Sequence, residues 1–393
     1  MTRNDFIKMC GYLGIALPLP GVLTSCKKDD GPVTPDEKQD KVLVIGAGPA
    51  GMTAGHLLAQ QGVDFQILEA LPNPGGRIKT NKTFVDFPIP LGAEWLHVER
   101  SVFDEIVNDP SVDPEVNTVG YNPATDVYIN SENGEPISLE EVGFSIDRKF
   151  VDYSWLDFFS DYVLPNIQSR ILYNKPVVKI DYSGDLVKVS TQDGMDYTAD
   201  KIIFTVPLRV LQSGDISFVP ALPAYKQNAI NTTQVWSGFK AFFEFKEVFY
   251  PTLIGFDIQP PTLGQKMFYN ASYGQNTAHH VLGVFSTGAP AELYIYLSDD
   301  LLKDYILNEL DELFENQATP NYIKHVTQNW NGEPYAQGAY LSAHEDASKV
   351  RDLEKTIDNK VFFAGDSYTS GDDWSSVHAA ARSAIKAVDK VLV

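Results

Sequence analysis

Lys41-Val42-Leu43-Val44-Ile45 is a short apolar run, the pattern of a strand buried on both faces of a parallel sheet. Gly46-Ala47-Gly48-Pro49-Ala50-Gly51 follows at once, Met52 to Gln61 reads as a helix, and Asp64 to Leu68 as a second strand ending in Glu69. From Pro176 to Pro207 the pattern switches to the alternation of antiparallel β structure. Val177 to Asp181 leads into a Ser183-Gly184-Asp185 turn and then Leu186 to Ser190; a second turn at Asp193-Gly194 leads to Lys201 to Leu208. Phe239 to Tyr250 alternates as a strand and breaks into a turn. Leu301, Leu302, Tyr305, Ile306, Leu310 and Leu313 recur at helical spacing, which predicts a stripe in the core. Near the C-terminus a strand over Lys360 to Phe363 runs into Ala364-Gly365-Asp366. A helix over Ser375 to Val391 follows, with Ser375 or Ser376 as its N-cap.

Composition narrows the classes. A chain of 393 residues allows two or three folding units, and an aromatic fraction of 12% is foreign to disordered chains. The 31 Lys and Arg against 52 Asp and Glu give a net charge of -21, and no basic run offsets it. Such a surface repels phosphate backbones and anionic lipid, so nucleic acid is not an expected partner. Both cysteines, Cys10 and Cys26, fall at the N-terminal end, which leaves the rest without a disulfide, a thiolate metal site or a cysteine nucleophile. The histidines show no metal-ligand spacing, and no metal is expected. Neither a Gly-x-Ser-x-Gly elbow nor an internal repeat is visible.

The first forty residues read as an address. Residues 1–26 have a basic start at Arg3 and Lys8, a short apolar stretch broken by Pro18 and Pro20, and a Leu23-Thr24-Ser25-Cys26 end that looks like a bacterial lipobox. Thr2 to Lys8 resembles a twin-arginine export motif with Asn4 in place of the second arginine, so that route and Sec export both stay open. Residues 27–40 read as a flexible tether. The expectation is an exported protein, at the periplasmic face of a membrane or the cell surface, touching the membrane only through a lipid on Cys26.

The opening strand, glycine turn and helix have the layout of a dinucleotide-binding βαβ unit. Gly46, Gly48 and Gly51, with Ala50 between the last two, let backbone amides approach a pyrophosphate at a helix N-terminus, where the dipole favours anions. Glu69, about 20 residues on, supplies the acid that accepts from ribose hydroxyls and disfavours a 2′-phosphate.

Gly75-Gly76-Arg77, close behind Glu69-Ala70, adds a second fingerprint. Here the chain resembles the flavin amine oxidase family, which includes monoamine and polyamine oxidases. The resemblance covers Lys41 to Val391 and implies FAD, with Gly75, Gly76 and Arg77 against its pyrophosphate. It also implies Val178 at the adenine, Pro207 of Thr205-Val206-Pro207-Leu208 where that strand reaches the cofactor, and Gly365 and Asp366 at the ribityl chain. Ser376 and Val377 would open a helix toward the flavin ring, and Trp330 begins a reactive-site segment that runs to Tyr340.

In the same resemblance Lys240 is the lysine beside flavin N5, where burial would lower its pKa and it would hold a water. Tyr340 is one wall of an aromatic sandwich; Ser376 falls near the other wall, so the cage is incomplete unless Trp374 reaches in. Ala339 stands where monoamine oxidases carry a cysteine bonded to FAD, so the cofactor would be non-covalent. Leu91 to His97 looks like the corresponding run of polyamine oxidases, with His97 as a substrate contact. Glu94 is open between pairing with a cationic substrate and lying on the surface. Trp95 occupies the place of a carboxylate-binding arginine in several L-amino-acid oxidases, which counts against an amino-acid substrate.

The expected architecture is an α/β Rossmann-type FAD-binding domain, discontinuous over 41–97, 172–212 and 325–393. An α+β substrate-binding domain with a mainly antiparallel sheet would span 98–171 and 213–324. The expected reaction is oxidation of a primary or secondary amine, with a polyamine as one candidate. Hydride passes to flavin N5, giving an imine, then an aldehyde, and with O2 hydrogen peroxide; O2 or another electron acceptor would complete the cycle. The alternatives are another oxidoreductase or mutase reaction on this cofactor fold, or a flavin-fold lipoprotein serving as a binding module.

Overall fold

The computed structural model describes residues 40–122, 127–129, 136–138, 147–256, 258 and 260–393, with only the backbone described for 127–129 and 136–138. The expected signal segment with Cys26, and the expected tether up to residue 39, lie outside the described residues.

Five parallel strands form the first sheet, in the order Ile171–Leu172, Phe65–Leu68, Val42–Ile45, Lys201–Phe204 and Val361–Phe363. Val42, Leu43, Val44, Ile202 and Ile203 are fully buried, as a sheet covered on both faces requires. One face carries the helix Pro49–Gln60 and the C-terminal helix Val377–Val391, which pack through small residues such as Ala54, Ala380 and Ala384. The helices Ser101–Val107 and Trp155–Tyr162 bring Val102, Phe103, Ile106, Trp155 and Phe158 into that same core.

The other face lies against Val177–Asp181, Val187–Thr191 and Asp196–Ala199, which are antiparallel, with Ser217–Val219 parallel to the first of them. The sequence pattern predicts that Lys201 to Leu208 continues this antiparallel series. Instead Lys201–Phe204 leaves it and pairs in parallel with Val42–Ile45. The physical reason is its composition: Ile202-Ile203-Phe204 is apolar on consecutive positions, the mark of burial on two faces rather than one.

The second large sheet is antiparallel throughout, in the order Leu253–Gly255, Gly264–Asn270, His280–Gly288, Gly238–Phe245 and Tyr322–Asn329. Phe239, Ala241, Phe243 and Phe245 face the helices Ala289–Ile295 and Asp299–Leu313. Lys240 and Phe242 alternate to the opposite face, where Phe285, Met267 and Tyr269 lie across from them in register. The helical stripe is only half core. Leu302, Ile306 and Leu310 are buried, but Leu301 is 61% exposed and Tyr305 and Leu313 are also exposed, because one side of the helix alone meets the sheet. Among the described residues no helix is long and apolar enough to cross a membrane.

Candidate active site

A cavity of about 950 Å³ runs from the C-terminal edge of the parallel sheet to the open face of the antiparallel one. Its first end is built from glycine. Gly46 has a φ of +106°, and a β-carbon there would meet Thr205 Oγ1 at 2.8 Å. A β-carbon on Gly51 would lie 1.9 Å from the Gly46 carbonyl oxygen. Gly48 caps the helix Pro49–Gln60, and a β-carbon on it would point into open space. The second glycine pair folds onto the first: the Gly75 amide donates to Ala47 O at 2.9 Å, and a β-carbon on Gly76 would lie 3.5 Å from Gly48 Cα.

Glu69 fixes the floor of this cradle by accepting from the Ala47 amide at 2.6 Å and the Leu71 amide at 2.8 Å. Burial raises its carboxyl above the usual range, against the opposing pull of those amides. Arg77 crosses to the C-terminal motif, 2.5 Å from Asp366 Oδ1, and also donates to Ala339 O. Gly365, at φ +149°, donates its amide to Ser383 Oγ at 2.8 Å. Ser376 is the N-cap of the last helix and accepts from the Ala379 amide, as one of the two expected cap positions. The helix therefore begins with Ser376 and Val377 on the cavity wall.

Of the residues expected to hold the cofactor, Gly46, Gly48, Ala50, Glu69, Ala70, Gly76, Arg77, Val178, Pro207, Trp330, Gly365, Asp366, Ser376 and Val377 line this one cavity. Gly51 and Gly75 stand behind its wall and shape the loops. An amide-rich cradle without side chains, the buried carboxylate of Glu69 and a second helix N-terminus fit a flavin dinucleotide. The Arg77 guanidinium, however, is already engaged by Asp366 and Ala339.

The other end of the cavity is lined by Trp95, His97, Asp147, Lys240, Met267, Phe285 and Tyr340. Tyr340 is held because its segment docks on the strand that carries Lys240 and the residues just before it. Trp330 N donates to Gly238 O at 2.9 Å, Trp236 N to Tyr340 O at 2.9 Å, and Ala339 packs so close to Gly238 that no side chain fits there. Burial raises the Tyr340 phenol well above its usual range. Trp374 does not complete the aromatic cage: its indole donates to Ser342 O at 3.0 Å and packs against the core beside the parallel sheet. The ring beside Tyr340 is Trp236, with centroids 6.2 Å apart.

Glu94 is neither on the surface nor free for a substrate. It is buried at 5% exposure and accepts from Lys240 Nζ at 2.7 Å and from the Tyr269 hydroxyl, and it faces Lys149 Nζ at 3.6 Å. His97 is at the exposed mouth, with Nδ1 2.8 Å from Asp147 Oδ1. Asp147, Lys149 and Tyr269 carry no motif, since their partners lie 50 or more positions away in the chain and only the folded sheets bring them together. Among the described residues no group of three or more His, Cys, Asp or Glu side chains could hold a metal ion.

A family model described as flavin containing amine oxidoreductase matches residues 164–392, more than half of the chain. The chain belongs to that family. A second model, an NAD(P)-binding Rossmann-like domain, matches residues 44–108. Polyamine oxidase 2 of Arabidopsis thaliana is 24% identical over 90% of this chain and 88% of its own length. Lysine-specific histone demethylase 1B of Mus musculus is 26% identical over 83% of this chain, which spans 50% of that protein. A solved putrescine oxidase bound to putrescine covers 90% of this chain with a TM-score of 0.70 at 15% identity, a likeness that shows the shared fold. The cofactor of this family of flavin-containing amine oxidoreductases is a flavin, and the Rossmann-like match over residues 44–108 spans the glycine cradle.

Proposed function

We propose that this protein oxidises a primary or secondary amine at a non-covalent FAD. The observation that carries the reading is the continuity of one cavity, from the facing glycines Gly48 and Gly76 to Lys240, Trp95 and Tyr340. Bound there, the flavin would supply the hydride acceptor for the amine α-carbon, and dioxygen as final acceptor would yield hydrogen peroxide.

The chain's own residues have distinct tasks. Gly48, Gly76 and Ala50, just behind Pro49, would hold the pyrophosphate through backbone amides; the Gly46 amide is spent on Leu68 O at 2.8 Å, and Gly46 serves by its bare backbone. Glu69 would orient the ribose, Val178 would cover the adenine and Asp366 would meet the ribityl chain, all three being on the cavity wall. The N-terminus of the last helix, behind Ser376 and Val377, favours negative charge on the ring system. Trp95, Phe285, Met267 and Tyr340 exclude water and favour the neutral amine, the form able to give up a hydride. At the mouth the Asp147 carboxylate, paired with His97, would take the second ammonium of a diamine or polyamine, so that substrate class is favoured.

An anaerobic titration of the FAD-incubated protein with a panel of amines tests this. Bleaching of the flavin absorbance by one amine class, and its return in air with peroxide formed, is the expected result. Flavin that no amine bleaches would sink the amine reading in favour of another reaction on this cofactor. We also propose export and lipid attachment at Cys26; incorporation of labelled palmitate that survives Cys26→Ser would refute it.

A further inference from the structure

Behind the substrate end of the cavity, Lys240, Glu94, Lys149 and Tyr269 form one buried polar cluster in otherwise aromatic surroundings. Lys240 Nζ donates to Pro90 O at 2.9 Å, to Gly92 O at 3.1 Å and to Glu94 Oε2 at 2.7 Å. An ammonium has three N–H donors, and all three are taken. A neutral amine has two, and here it would turn its lone pair against an acceptor oxygen. The geometry thus selects the charged form. It also leaves no N–H to hold a water, the task that the family resemblance implies for this lysine.

We propose that Glu94 is a positioning residue that clamps Lys240 as a fixed ammonium at the substrate end of the cavity, with Lys149 as the second cation on the same carboxylate. Lys149 is the more weakly held of the two. Its Nζ donates to Ala271 O at 2.6 Å and Asn270 O at 3.4 Å, and stands 3.6 Å from Glu94 Oε1. Among the described residues the other titratable groups packed here include Tyr269, whose hydroxyl donates to Glu94, Tyr121 behind it, which accepts from Trp95 Nε1, and Tyr153, which lines a small void with Glu94 and Lys149. The ring centroids of Trp95, Phe242 and Tyr269 lie 5.1 to 5.7 Å from Lys240 Nζ.

The electrostatics agree with this division. Burial works against the Glu94 carboxylate, but the two lysine charges and the bonds from Lys240 and Tyr269 outweigh it and hold the carboxyl below its usual range. Burial lowers Lys240, opposed by Glu94. Burial also pushes Lys149 down to about 8, opposed by Glu94 and reinforced by the Lys240 charge. Burial raises the Tyr269 phenol well above its usual range, so it remains a donor. Two cations on one anion leave a single excess positive charge beside the cavity.

The placing of this charge beside a bound flavin rests on the proposed function, but the clamp itself can be tested separately. The full chain, incubated with FAD and labelled with 13Cε-lysine, is titrated by NMR. The Lys240 and Lys149 signals are assigned by their loss in Lys240→Met and Lys149→Met. Removing the counter-charge in Glu94→Gln should move the Lys240 ionisation acid by about one pH unit or more, and removing the rival cation in Lys149→Met should move it alkaline. A general disturbance of packing would not produce opposite signs. Shifts of the same sign, or none in either variant, would overturn the clamp. If Glu94→Gln does not fold, Lys149→Met decides alone: an alkaline shift supports the clamp, and an acid shift or none overturns it. Bound yellow flavin with unmoved lysines sinks the clamp and leaves the flavin reading. Opposite shifts without bound flavin sink the flavin reading and leave the clamp.

Discussion

Gly76 faces Gly48 so closely that a β-carbon on Gly76 would lie 3.5 Å from the Gly48 Cα, although the two belong to different fingerprints 28 positions apart. The contact joins the βα turn of the parallel sheet to the loop that carries Arg77. Arg77 in turn reaches Asp366, 289 positions on. One chain of short contacts therefore ties together three pieces of the cavity wall that lie far apart in the sequence.

Gly51→Ala tests how firmly that cradle is set. Its methyl group would sit 1.9 Å from the Gly46 carbonyl oxygen, and a backbone oxygen cannot yield as the end of a flexible side chain can. The expected cost is about 1–3 kcal/mol of stability, together with loss of most bound flavin. Urea unfolding and the ratio of flavin to protein absorbance measure the two effects. A variant that keeps both at the parental level would show that the Gly46 loop is more pliant than its close approach implies.

Glu69→Gln should act without any clash. The carboxylate uses one oxygen for the Ala47 amide and the other for the Leu71 amide. An amide side chain offers one acceptor and must turn its NH2 group toward the second N–H. Leaving a buried donor unmatched costs about 1–3 kcal/mol, and FAD affinity should fall by roughly tenfold or more. Fluorescence titration of flavin-stripped protein reads this directly. Unchanged affinity would assign ribose binding to other groups.

Much of the site is legible in the sequence because the cofactor cradle is local. A strand, a glycine turn, a helix and an acid follow one another between Lys41 and Glu69, and each leaves its own pattern. The substrate end is not local. Glu94, Lys149 and Tyr269 come from separate parts of the chain, and nothing near Glu94 in the sequence distinguishes a buried counter-ion from a surface carboxylate. Trp374 misleads for a related reason: its place just before the last helix suits a cavity wall, but its indole is drawn away to Ser342 O. The departure of Lys201–Phe204 from the antiparallel series shows as consecutive apolar residues, yet its partner strand Val42–Ile45 lies far back at the start of the fold, where no local pattern points to it.

At the cavity mouth, Asp147→Asn should separate substrate classes. The carboxylate sits 2.8 Å from His97 Nδ1, beyond the apolar walls that receive the reacting amine. Removing its charge should raise KM for a diamine or polyamine by roughly tenfold, equivalent to about 1.4 kcal/mol. A monoamine should be nearly unaffected, and kcat should change little for either. Equal losses on both classes would place Asp147 in maintaining the fold of the mouth rather than in selecting a second ammonium.

Lys226 offers a test of pH dependence far from this chemistry. On the helix Ala224–Thr232 it is fully buried, with Nζ donating to Leu353 O at 2.6 Å and lying 3.5 Å from the centre of the Phe363 ring. Burial pushes its pKa down to about 7, against the pull of Glu354 and Asp352. The unfolded chain holds this proton up to the ordinary lysine range, so between about pH 7 and that range the unfolded state binds more protons than the folded one. Stability must then rise with pH across that window. Below about pH 7 both states are charged, and the full cost of burying the ammonium remains, on the order of a few kcal/mol before the ring contact offsets part of it. Lys226→Met removes this contribution, so its stability relative to the parent should be greatest near about pH 6 and shrink toward about pH 9. Urea midpoints for both proteins across that range decide the matter; a constant difference would mean that Lys226 keeps its proton throughout.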